Sequence, residues 1–208
     1  QHHAGHARIE GIKGKAAFSP LRVSLAAPAT WPALPPNECI DRHQIIDLTK
    51  KVARDGRLDW DVPAGKWTVL RLGHTPTGKE NHPAPEEGRG LECDKLSKAG
   101  SEAMFNGLMQ KLLDDVGPLA GKTLVSTHID SWEVGSQNWT PKFREEFRRL
   151  RGYDPLRFLP VMTGRVVDSL EVSERFLWDL RQTISELLLE NYAGHFRELA
   201  HRRGLRLS

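Results

Sequence analysis

The 208 residues contain only two cysteines, Cys39 and Cys93. They lie far apart and show no metal-ligand spacing, so two free thiols are expected rather than a disulfide. No apolar run approaches the ~18 residues that cross a bilayer. Charge of one sign is also missing: 30 Lys and Arg face 27 Asp and Glu, a net +3. The basic residues are interspersed with acidic ones and form no stripe with interleaved aromatics, which argues against a nucleic-acid partner. What remains, 38% hydrophobic and 27% charged residues, is the composition of a soluble globular chain. The length suits one large domain or two small ones.

The chain opens on Gln, with no secretory signal pattern. It closes on RRGLRLS, whose last residues read as the start of a strand. Both ends therefore read as cuts within a longer protein. The opening QHHAGHAR has three histidines at a spacing that suits neither a tag nor a zinc site, and reads as a frayed, solvated segment.

Two textures follow. Residues 1–87 are rich in Pro and Gly and poor in helical periodicity. VSLAAP, HQIIDLT, RLDWDVP and KWTVLRLG read as short strands between turns, the pattern of a β-sandwich-like segment. Gly73 to Gly90 is a polar, proline-bearing connection. From residue 88 the rhythm becomes strand, helix, strand, helices, strand, the grammar of parallel α/β folds. GLECDKLS is the first expected strand; Ser97 is placed to cap a helix with Phe105, Leu108, Leu112 and Val116 on its apolar stripe. Gly117-Pro118 stops it. KTLVSTHIDSWE is the second strand, and Thr140-Pro141 starts a helix marked by Phe143, Phe147 and Leu150. DPLRFLPVMTGR reads as a short helical piece. Residues 170–203 form a long helix with Leu177, Leu180, Ile184, Leu187, Leu188, Tyr192, Phe196 and Leu199 along one face, divided or kinked at Gly194. The expected class is α/β: the first strand–helix units of a (β/α)8 TIM-type barrel over residues 88–208, behind the β-rich segment. A whole barrel needs about 250 residues.

In such a fold the C-terminal ends of parallel strands carry the chemistry. Glu92, Asp94 and Lys95 then stand near Asp130, Trp132 and Glu133. Strand alternation sends Asp130 and Trp132 one way and Glu133 the other, unless the chain bends after Ser131. Carboxylates beside tryptophans suit sugars, whose C–H faces stack on rings and whose hydroxyls bind carboxylates. Glycoside hydrolysis uses two carboxyl groups, one of them protonated, and burial beside an indole raises a carboxyl pKa. The plainer reading of DSWE is a capping Asp, a core Trp and a solvated Glu. His74 and His128 are candidates for hydroxyl binding or for structural hydrogen bonds. Gln137 and Asn138 offer amides, Trp139 a subsite wall or a helix staple, and Glu174 with Arg175 a helix-terminal ion pair.

IDSWEVGSQNWTPKFREEFRRLRGYDPLRFLPVMTGRVV, followed by SERFLWDLR, resembles the catalytic region of the glycoside hydrolase family 106 α-L-rhamnosidases. GKWTVLRLGHTPTG and GLECDKLS resemble the segment that precedes it in that family. The resemblance implies a multidomain bacterial enzyme with a (β/α)8 catalytic barrel and β-sandwich domains, periplasmic or secreted. It implies inverting removal of terminal α-L-rhamnosyl groups from plant polysaccharides or rhamnosides, assisted by calcium. It puts the general acid on Glu133, with Glu92 as the alternative. Asp130, Trp132, Asn138, Trp139, Glu92, Asp94 and His128 become the expected substrate contacts. Asp94, Asp130 and Glu133 are possible calcium contributors without an assigned ligand set. The general base matches no motif here and is expected beyond Ser208. Two other readings stand beside this one: a non-catalytic carbohydrate-binding protein, and a barrel glycosidase of other specificity.

Overall fold

A computed structural model describes residues 6–20, 30–130 and 132–208. Contacts divide the chain into two compact units, neither continuous in sequence: residues 1–73 with 144–181, and residues 74–143 with 182–208.

The first unit contains a single turn of helix, α1 (Ile12–Lys15), most of α4 (Phe143–Arg151), a 3-10 stretch (Pro155–Thr163) and most of α5 (Leu170–Leu187). Its core is aromatic. Phe147 and Phe176 are fully buried, and Tyr153 and Phe158 join them with ring centroids 5.0–5.9 Å apart. Asp154 caps the 3-10 stretch by accepting from the Leu156 N–H at 3.1 Å. It also accepts from Arg144 Nε and Nη2, at 2.9 and 2.7 Å.

The expected sandwich strands of residues 1–87 do not form among the described residues. VSLAAP lies outside them. HQIIDLT is instead an irregular run whose two ends enter 3-10 turns, Arg42–Gln44 and Thr49–Lys51. Asp41 and Asp47 each accept from the backbone N–H two residues on, at 2.8 and 2.9 Å, and such local bonds compete with a strand ladder. RLDWDVP makes one isolated bridge, Leu58 to Val52, KWTVLRLG makes none among the described residues, and Val62, Val69 and Leu72 stay exposed. The frayed-end expectation also fails from Ala7 onward. Ala7 N–H donates to Glu38 O at 3.2 Å, Ile9 N–H donates to Gly164 O at 2.9 Å, and Ile9 is buried.

The second unit holds α2 (Lys98–Gly107), α3 (Met109–Val116), β1 (Ser126–Thr127), a π-helical stretch (Leu188–Gly194), α6 (His195–Arg202) and β2 (Arg206–Leu207). The expected single helix breaks at Leu108 (φ −126°, ψ −62°). The break resets the helical phase, so Phe105 and Leu113 are buried whereas Leu108 is 62% exposed. Tyr192, Phe196, Ala200 and Leu205 complete that core. Gly194 marks the end of the π-helical stretch, where a Cβ would stand 2.8 Å from Leu189 O and a larger residue would collide with backbone.

β1 and β2 pair in parallel, Ser126 opposite Arg206 and Thr127 opposite Leu207. Ile129 N–H donating to Ser208 O at 3.1 Å carries the pairing toward the loop after β1. GLECDKLS, expected as a strand, makes only one isolated bridge, Leu91 to Glu80, and then turns. Among the described residues no helix is long and apolar enough to cross a membrane.

Candidate active site

Most of the residues singled out as chemical fall in the second unit, on two segments: the turn Glu92–Ser97 and the loop that follows β1. The structure brings these segments together through Lys95 and Asp94.

Lys95 is buried, at 6% exposure. Its ammonium is paired with Glu92 three residues back. It also lies 5.3 Å from the ring centroid of Trp132 and 5.4 Å from that of Tyr192. A buried ammonium is tolerated only when paired, and the negative faces of two rings add to the pairing. Burial pushes the Tyr192 phenol up to about 12, with Cys93 and Glu92 adding to the effect. Burial also pushes the Cys93 thiol up, against the pull of Lys95.

Asp94 uses both carboxylate oxygens on protein donors. Thr140 Oγ1 donates to Oδ2 at 2.6 Å, while Gln137 Nε2 and the Leu96 N–H donate to Oδ1. This fits a brace for the loop better than the expected sugar contact. Gly100 makes the turn possible: a Cβ there would stand 2.2 Å from Asp94 O.

Trp132 Nε1 donates to Gly135 O, and Gly135 turns the loop at φ 78°. Trp132 keeps 38% of its surface open, so it is not the core residue of the plainer reading. Glu133 and Asp130 are exposed on the same loop, and Ser131 lies outside the described residues. The burial of Glu133 against an indole, expected from the sequence, is therefore absent. Asn138 is half-buried. Trp139 packs on Phe143, ring centroids 4.7 Å apart, as a staple at the start of α4. His128 is spent on the strand pair, its Nδ1 3.2 Å from Ser208 Oγ. His74 is exposed, and Glu174 and Arg175 belong to the first unit. Glu174 pairs with Lys15 and Arg175 with Glu171 at 2.9 Å, ion pairs as the sequence suggested, although the partners differ from the expected pair.

Two members of this cluster escaped the sequence reading. Tyr192 and Asn191 look like core and surface positions of one long helix, and the π-helical stretch turns both inward. Asn191 Nδ2 donates to Leu96 O at 2.8 Å, and Ser101 Oγ donates to Asn191 O at 2.7 Å. The available signal is Gly194, whose expected division or kink of the helix falls where the π-helical stretch ends and α6 begins.

A family model described as alpha-L-rhamnosidase matches residues 2–207. A protein of Formosa agariphila bearing the provisional name beta-glucuronidase is 48% identical over 175 residues, 84% of this chain and 15% of that protein. A solved structure, the rhamnosidase from Novosphingobium sp. PP1Y, is 32% identical with a TM-score of 0.75, covering 94% of this chain and 19% of that one. The chain thus spans less than a fifth of either relative and folds like the corresponding part of a glycosidase. With its family motifs spread over nearly its whole length, the chain belongs to the alpha-L-rhamnosidase family, glycoside hydrolase family 106.

Proposed function

We propose that this chain supplies part of the catalytic face of an inverting α-L-rhamnosidase built on a (β/α)8 barrel, with Glu133 as its general acid. The observation that carries the reading is a position: Glu133 stands on the exposed loop directly after β1, beside the half-open ring of Trp132, in a chain matched by the rhamnosidase model. Parallel β1 and β2, with helices between them in sequence, support the barrel. In the reaction, the protonated Glu133 carboxyl donates its proton to the glycosidic oxygen as the C1–O bond breaks. A water attacks C1 from the opposite face and loses its proton to a carboxylate base. That pair stands about 6.5–9.5 Å apart in an inverting enzyme. The base belongs to a later strand of the same barrel. Trp132 offers its ring to the sugar's C–H face. The substrate class is terminal α-L-rhamnosyl groups of plant polysaccharides or rhamnosides, met in the periplasm or outside the cell.

Calcium comes with the family resemblance, but the residues here do not fit it. Among the described residues no three of His, Cys, Asp and Glu gather around one point. Asp94 is engaged by Thr140 and Gln137, and Glu92 by Lys95.

The named relative favours a second reading, a glycosidase for a β-glucuronide. A uronate needs a cation for its carboxylate, and Lys95 is already paired. The test compares wild type with Glu133→Gln in the whole enzyme, on a natural rhamnoside and on an aryl α-L-rhamnoside with a good leaving group. Loss of proton donation should lower kcat on the natural substrate by about 10²–10⁴-fold and on the activated one far less. Equal rates in both enzymes would move the acid to Glu92. Activity on an aryl β-glucuronide and on no rhamnoside would establish the second reading.

A further inference from the structure

We infer that Lys95 is a positioning residue: its ammonium, paired with Glu92 and set against the rings of Trp132 and Tyr192, fixes the loop that carries Glu133. The inference rests on Glu133 being the general acid.

Three partners from three separate segments meet at one ammonium. Glu92 comes from the same turn, Trp132 from the loop after β1, and Tyr192 from the π-helical stretch. Lysine is almost never fully buried unless paired, so a 6% exposed Lys at a turn marks a constraint that surface solvation does not explain. The floor beneath it is rigid. Tyr192 is buried in the core with Phe196 and Phe105, and Asn191 bonds the carbonyl of the residue after Lys95. π-Helical turns recur at functional sites because the extra residue re-aims side chains. Here the re-aimed pair, Asn191 and Tyr192, grips the Lys95 turn.

The loop is tied to that turn at two points. Lys95 meets Trp132 near its start, and Asp94 holds Gln137 and Thr140 near its end. Glu133 lies between the two ties. An acid misplaced by about 1 Å can cost on the order of a hundredfold in rate, so a loop bearing one gains from both anchors. Trp132 keeps 38% of its surface open while its ring is held by the cation.

The experiment uses the whole enzyme with Lys95→Met, Lys95→Arg, Trp132→Leu and the double variant Lys95→Met/Trp132→Leu. The first readout is the thermal midpoint, which needs no substrate. The two single changes should combine non-additively, because they break one contact. The second readout is kcat against KM on a natural rhamnoside. Lys95→Met should lower kcat by roughly ten- to a hundredfold with KM much less changed, and Lys95→Arg should recover part of the loss. Additive midpoints would overturn the contact. Non-additive midpoints with unchanged kcat would overturn the positioning role. If Lys95→Met does not fold, Trp132→Leu approaches the contact from its exposed side, and an unchanged kcat there also overturns it. If Glu133→Gln keeps full activity on the natural substrate, the acid assignment fails by itself, and the midpoints still decide whether Lys95 anchors the loop.

Discussion

Two aromatic clusters, one in each unit, contrast in what their rings face. In the first, Phe147, Tyr153, Phe158 and Phe176 pack ring on ring, and Phe158 and Phe176 stack at 5.5 Å with planes 20° apart. In the second, Trp132 and Tyr192 turn their faces to the ammonium of Lys95. Rings on rings bury apolar area and exclude water, which is what stability requires. Rings around a paired charge carry a desolvation cost that an apolar cluster avoids. An arrangement that costs stability beside exposed carboxylates points to chemistry, and one that only gains it points to scaffolding.

The contrast can be tested by breaking each side. Phe176→Ala should have the largest effect on stability, about 3–5 kcal/mol, because a fully buried ring leaves a cavity among rigid neighbours. Chemical unfolding of the whole protein, followed at its first unit, measures it. A loss below 1 kcal/mol would mean that the aromatic cluster is not the keystone of this unit.

Asp94→Ala should cost less, about 1–3 kcal/mol, by leaving the Thr140 hydroxyl and Gln137 amide without their acceptor. The same variant should increase proteolytic cutting within residues 132–140. Unaltered cutting would show that the loop is held by other contacts.

Asp154 sharpens the comparison through pH. Hydrogen bonds from Arg144, and then from Arg148, hold its carboxyl well below the usual carboxylate range. A lowered folded pKa means that the stabilisation is present above the unfolded value of about 4 and is lost as pH falls below it. The side chain is 34% exposed, so solvent screens part of the effect. Asp154→Asn should therefore lower the thermal midpoint at neutral pH and converge on wild type in acid. A gap that stays constant with pH would rule out the charge as the cause. Smallest of all, Arg175→Ala should shift stability by less than about 1 kcal/mol, since both partners of its pair with Glu171 are largely exposed.

Much of the candidate site was legible in the sequence, because DSWE and GLECDK carry carboxylates, a lysine and an indole on two short runs. Their meeting was anticipated from strand-end logic, yet the contact that joins them is not a pair of strand ends. One partner is a turn, braced by Asp94 and relieved of collision by Gly100. The partners these residues have within the chain, Thr140 and Gln137 for Asp94 and Ser208 for His128, lie far off in sequence and were not legible in either run. The stripe on α2 and α3 was misphased for a local reason: nothing in the apolar spacing announces that Leu108 leaves helical geometry.

By itself the sequence determined the helices of residues 143–202 and their stops, since period, caps and glycine punctuation act within a few residues. Phe143 and Phe147 are buried on α4, and Gly152 (φ 78°) and Gly204 (φ 74°) end their helices as read. Only the tertiary structure decided which β-prone runs became paired. Ser126–Thr127 found Arg206–Leu207, while Val62, Val69 and Leu72, no less β-prone, found no ladder among the described residues. A strand is completed by hydrogen bonds to a distant partner, and a buried lysine by rings from two distant segments as well as a carboxylate on its own turn. Neither can be read from the run of residues that carries it.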